Sequence, residues 1–302
     1  MKTLVNYIQE KLVIFPSQVD EKSSIFPSQV DEKSSIFPSQ ADEKLGINQR
    51  FDEKLIINQR FDEKLIINKK YKSPYTCAPT SWDELRKIID DRYNKLGPGT
   101  KQKPIDFNDV DVSNIDSFYN DNTDKGIFEG TKFEYIDISY WDVSNIKNMR
   151  HMFWRCEQLK SVGDISNWNV SNVITTKSMF YRCEQLKSAG DLSNWDVSKV
   201  KDMNIMFCGC KQLKYIGDLS NWNVSEVENM NHIFSECEQL KSIGDLSGWD
   251  VSNTEDMRFM FYKCKQLKSV GDLSNWNVSK VKNMLFMFDK SGITNIPKWY
   301  KK

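Results

Sequence analysis

The sequence predicts an α/β repeat protein, a solenoid whose coils each carry a short helix and a short parallel strand. Two observations carry that expectation. Tryptophans stand at 141, 168, 195, 222, 249 and 276, so every step is 27 residues, and fixed self-similarity at such a period marks stacked coils. Within each unit, which reads roughly W-[DN]-V-S-x-V-x-x-M-x-x-M-F-x-x-C-x-Q-L-K-S-V-G-D-L-S-N, the apolar positions change spacing once. They are helix-like in the first half and fall every third residue in the second.

Counting from the tryptophan as offset 0, offsets 5, 8, 11, 12 and 15 are apolar (Ile146, Met149, Met152, Phe153 and Cys156 in the first unit). That pattern is one face of a helix. The serine before it is invariant across the units (Ser144, Ser171, Ser198, Ser225, Ser252, Ser279) and stands where an N-cap belongs. Ser225 with Glu228 and Ser252 with Glu255 have capping-box spacing. The following stretch, Leu159 to Ile165, reads L-x-x-V-x-x-L and predicts the parallel strand, one residue longer than the L-x-x-L-x-L of leucine-rich repeats.

The ends differ from the middle. Residues 1–13 predict an amphipathic helix with Leu4, Val5, Ile8 and Leu12 on one face. Residues 14–67 hold an unrelated tandem array, IFPSQVDEKSS-type units followed by INQRFDEKLI-type units. Pro16, Pro27 and Pro38 break its first half, so it reads as a flexible or partly helical linker. The region 72–105 contains a predicted helix over 81–96, opened by Ser81 and Glu84 and stopped by Gly97-Pro98-Gly99. A stack of coils needs its end layer covered, so this helix is expected to be the N-terminal cap. The repeat region then runs 106–302, with six units over 141–288 and degenerate ends. Val110 takes the tryptophan place in a first, irregular coil that carries extra residues between Asn120 and Gly130.

The D-L-S-x-W-[DN]-V-S-x-V link and M-F-x-x-C-x-x-L-K-S core, recurring over 106–302, resemble the BspA-like leucine-rich-repeat surface proteins. The resemblance implies a right-handed, curved leucine-rich-repeat-type solenoid and a role in protein contact or adhesion at a cell surface. The opening Met1–Ile14 does not read as a secretory signal, because Asn6, Gln9, Glu10 and Lys11 interrupt it. A cytoplasmic or virion-associated setting, as a structural or display component of a phage or mobile-element assembly, therefore stands beside the surface one.

The chain carries 42 basic and 42 acidic side chains, a balance unlike that of a dedicated nucleic-acid binder. It holds no apolar run of the length a membrane span needs. Cys156, Cys183, Cys210, Cys237 and Cys264 share offset 15 and are expected to be buried thiols. His151 and His232, the two histidines, share offset 10 in units three repeats apart, with no nucleophile constellation around them. No catalytic residue, metal site or cofactor is predicted, and the expected partner is a protein. Three polar columns remain. Asp164, Asp191, Asp218, Asp245 and Asp272 follow glycine and predict Asx turns. Offset 1 alternates Asp142, Asn169, Asp196, Asn223, Asp250, Asn277, which would halve the like charges facing one another. Lys160, Lys187, Lys214, Lys241 and Lys268 at offset 19 predict an outward basic stripe, the candidate binding surface.

Overall fold

A computed structural model describes residues 75–301. The expectations for 1–13 and 14–67, and for residues 72–74 of the capping region, lie outside the described residues. The first helix among the described residues is α1, Trp82–Leu96. Ser81 Oγ accepts from the Glu84 N–H at 3.2 Å, while the Glu84 carboxylate reaches back to the N–H of Thr80 at 2.7 Å. The first satisfies a donor that a helix start leaves free, and the second ties the preceding residue to the first turn. Leu85 and Ile89 are buried beneath it, and Tyr93 meets Phe133 edge-on at 5.1 Å. Arg92 pairs with Asp109 at 2.7 Å, which ties the far end of α1 to the first coil.

Four two-residue strands follow: β1 (Ile105–Asp106), β2 (Tyr119–Asn120), β3 (Lys125–Gly126) and β4 (Ile136–Asp137). β1 pairs in parallel with β4, and β2 pairs antiparallel with β3 as a hairpin that takes up the extra residues of the first coil. From there the coils lie side by side in parallel register. Single bridges join Asn148 to Thr175, Thr175 to Asp202, Asp202 to Asn229, Asn229 to Asp256 and Asp256 to Asn283, each 27 residues on.

The short helix expected at offsets 5–15 is not what the backbone adopts; the segment is a chain of four-residue turns. In the third unit Met206 N–H donates to Met203 C=O and Cys208 N–H to Ile205 C=O, while Ile205 and Phe207 donate to Asn231 and Ile233 of the next coil at 2.8 and 2.9 Å. Offsets 8, 10, 12 and 14 all bond forward in this way at each of the five junctions between units. The cause is spacing. Equivalent phenylalanine rings of adjacent coils stack 5.1 to 6.0 Å apart, whereas helices pack with axes 8–10 Å apart. One helix per coil cannot keep that register, so the N–H groups turn outward to the neighbouring coil.

This backbone places offset 10 in the left-handed region at His151, Ser178, Ile205, His232, Phe259 and Phe286, and offset 14 at Arg155, Arg182, Gly209, Glu236, Lys263 and Lys290. Each non-glycine residue there costs about 1–2 kcal/mol, offset by inter-coil hydrogen bonds of about 1 kcal/mol each.

The invariant serines do not cap helices. Their N–H groups donate to the side-chain oxygen at offset 1, at 3.0 to 3.2 Å in all six units. The Asp/Asn alternation there thus serves an Asx turn, which needs only the Oδ1 that both residues own. Ser225 and Ser252 therefore form no capping boxes with Glu228 and Glu255. A second Asx column stands at offset 23, where Asp164, Asp191, Asp218, Asp245 and Asp272 accept from the serine two residues on, at 2.9 to 3.0 Å. The stretch Leu159–Ile165 and its equivalents carry isolated bridges in some coils, such as Ser188 to Tyr215, in place of the expected continuous strand, and in later coils a 3-10 turn such as Leu246–Gly248 follows the stretch.

The core is a set of columns. Trp168, Trp195, Trp222, Trp249 and Trp276 are buried, and each indole N–H donates to a carbonyl 30 residues back, at 2.9 to 3.3 Å. The offset-15 thiols of the second to fifth units donate to the phenylalanine carbonyl of the preceding coil at 3.0 to 3.2 Å. All seven cysteines are free. Burial pushes the Cys156 thiol up to about 12, and it holds Cys183 and Cys237 well above the usual thiol range. At the C-terminal end Trp299 stacks on Trp276 at 6.3 Å and Tyr300 meets Phe288 edge-on.

Candidate binding face

Two surfaces of the stack are chemically distinct. The first is the offset-19 stripe. Lys187, Lys214, Lys241 and Lys268 are exposed in successive coils, whereas Lys160 is half-buried, pairs with Glu134 and lies 5.6 Å from the Tyr135 ring centre. The neighbouring glutamates do not neutralise the exposed four. Glu184 pairs with Lys211 at 2.9 Å and Glu238 with Lys265 at 2.7 Å, both within the offset-16 column. Among the described residues the four exposed stripe lysines make no ion pair, and Lys268 donates to the Lys265 carbonyl at 3.2 Å.

The second surface is formed by the turn corners, and sequence reading missed it. Offset 10 holds His, Ser, Ile, His, Phe, Phe; offset 13 holds Trp, Tyr, Cys, Ser, Tyr, Asp; offset 14 holds Arg, Arg, Gly, Glu, Lys, Lys. The core offsets between them hardly change. Alternating turns bring these positions to one face, where the side chains stack between coils. Trp154 lies on Tyr181 at 5.8 Å and His232 on Phe259 at 4.5 Å, and Phe259 continues to Phe286 at 5.1 Å. Cations cover the rings: Arg150 over Tyr119 at 4.6 Å, Arg155 over Trp154 at 5.4 Å and Lys263 over Tyr262 at 5.0 Å. Such contacts fix long side chains over flat apolar surface. The available signal was the contrast between variable and invariant offsets across the six copies.

Two recesses open on this face. One, of 310 Å³, is lined by Tyr181, Ile205, Cys208, His232, Phe259 and Tyr262 among others. The other, of 650 Å³, lies where α1 and the hairpin meet the first regular coil. Beside it His151 Nδ1 is buried without a hydrogen bond, 3.8 Å from Glu129 Oε2. Burial pushes His151 down and Glu129 up. His232, the second histidine, lies three coils away in the same column, so the structure does not bring the two together. Among the described residues no group of three or more His, Cys, Asp or Glu is placed to hold a metal ion, and no helix is long and apolar enough to cross a membrane.

The two histidines set a pH dependence. Burial lowers both below their ordinary value near 6.5, so the unfolded chain takes up protons that the folded chain resists. Stability from this source is complete above the ordinary value and is lost as pH falls through it. Thermal melts are expected to drop between pH 7.5 and 5.5, and His151→Asn with His232→Asn to flatten that drop. Glu129 and Asp202, both raised by burial, act in the opposite sense nearer the acid end.

A family model described as "Mycoplasma protein of unknown function, DUF285" matches residues 101–214 and again 187–299. No curated protein and no solved structure matches the chain.

Proposed function

The chain belongs to the DUF285 repeat family, and from that premise we propose that it is a non-enzymatic protein-binding repeat protein of the surface-interaction kind. The observation that supports this is the distribution of side-chain diversity. Six nearly uniform coils carry different residues at offsets 10, 13 and 14, on one face, over a core that repeats almost unchanged. A scaffold that varies only its corners presents a distinct pattern to a partner without refolding, as other stacked repeats do with their extended surfaces. The exposed lysines of the stripe add a uniform positive edge that steers an acidic partner by long-range attraction. The adhesion role implied by the BspA-like resemblance is the form of this reading we favour.

Affinity capture on the immobilised full chain tests it. A captured protein partner is expected to bind at least ten-fold more weakly to the Lys187→Glu/Lys214→Glu/Lys241→Glu variant or to Tyr181→Ala/Tyr262→Ala. A partner held equally by wild type and both variants would remove both faces as the contact surface.

A further inference from the structure

Resting on that protein-binding reading, we propose that the recess between α1, the hairpin and the first regular coil is a docking point for an acidic segment of the partner. Its wall carries four cations, Arg86, Lys125, Lys132 and Arg155, against the carboxylates of Glu129 and Glu157, with Trp154 among them. The carboxylates are largely engaged. Glu129 is half-buried and accepts the Gly126 N–H at 2.9 Å, and burial raises its carboxyl above the ordinary carboxylate value. Glu157 lies 3.5 Å from Arg155. Arg86 is held in place by Asp90 at 3.0 Å and by the carbonyls of Ile127 and Glu129. Lys125 and Lys132 are exposed and make no ion pair among the described residues. They are the two cations of the wall that no ion pair holds, Lys125 lying within electrostatic reach of Glu129.

The positive character continues outward along the turn corners. Lys177 and Arg182 of the next coil likewise make no ion pair among the described residues, and Arg182 lies 6.0 Å from the centre of the Tyr181 ring. Asp124 and Asp202 lie within electrostatic reach of Lys177, so outward of the recess the positive charge is partly balanced. The chemistry of this region fits carboxylate side chains on an extended segment, with Trp154 and Tyr181 offering apolar and cation-covered surface between the charges. A recess of 650 Å³ is within the 300–1,000 Å³ range of ligand sites, large enough for a few side chains and too small for a folded element.

The test is fluorescence anisotropy with the full chain and a labelled eight-residue peptide of alternating Glu and Ala, read from low to high salt. Saturable, salt-sensitive binding is expected, weakened at least ten-fold by Lys125→Glu/Lys132→Glu and little changed by Lys187→Glu/Lys214→Glu/Lys241→Glu. The lysines are surface groups, and an unchanged melting temperature would show that the fold is intact. Loss of binding in the stripe variant alone would overturn the recess while leaving the protein-binding reading standing. No binding of the peptide by wild type would also overturn the proposal, independently of the capture experiment. So would tighter binding of a ten-nucleotide oligothymidylate, which would assign the cations to phosphate.

Discussion

Phe207→Ala is expected to cost about 3–5 kcal/mol, the usual loss when a fully buried aromatic is truncated. Phe207 has no exposed surface and stacks on Phe180 at 5.4 Å and on Phe234 at 6.0 Å, so its removal leaves a gap in the column that neither neighbour can fill without leaving its own coil. Because stacked repeats couple mainly to nearest neighbours, the loss falls on the junctions of the third unit. Chemical denaturation of the full chain measures it. Phe286→Ala is the control: that ring is half-exposed and among the described residues stacks on Phe259 alone, and its loss is expected to cost less than about 1 kcal/mol. Equal costs for the two would mean that the offset-12 column is not the core.

Gly126→Ala is expected to be nearly as damaging, about 3 kcal/mol, at the upper end of overpacking. A methyl at this position would stand 1.9 Å from the carbonyl oxygen of His151 and 2.2 Å from its carbonyl carbon. Those atoms are backbone and cannot swing aside, so β3 must part from the first regular coil. The effect is local to the N-terminal end, and it also displaces Lys125 and the recess wall. Gly248→Ala gives the contrast, since nothing lies within 4 Å of an added methyl there. It is expected to change stability by no more than about 0.5 kcal/mol.

Much of the molecule was legible in the sequence because the repeat multiplies each signal. The period placed Trp168 beside Trp195 and Cys183 beside Cys210, and the Gly-Asp pairs announced the Asx turns at Asp164 and its equivalents. The local conformation of offsets 5–15 was not legible. The spacing of Val200, Met203, Met206, Phe207 and Cys210 suits a helix face, and it equally suits successive turns with every third residue inward. What separates the two is the distance between coils, a tertiary quantity that no single unit carries. The misassignment of Ser144 followed from the helix, since a serine before turns serves the Asx oxygen of Asp142 and not a helix start. The stripe lysines were visible because they repeat. The recess residues Arg86, Lys125 and Lys132 come from the irregular end, where no periodicity points to them.

The turn-corner face depends on the turn ladder, because the inter-coil hydrogen bonds of offsets 8, 10, 12 and 14 set the spacing at which its side chains stack from coil to coil. Scalar couplings transmitted across hydrogen bonds, measured by NMR on the deuterated chain, address it directly. The Phe207 amide is expected to couple to the carbonyl carbon of Ile233, and the Ile205 amide to that of Asn231, in the next coil. A coupling from the Phe207 amide to the carbonyl of Met203, four residues back in its own coil, would show a helix instead and contradict the ladder.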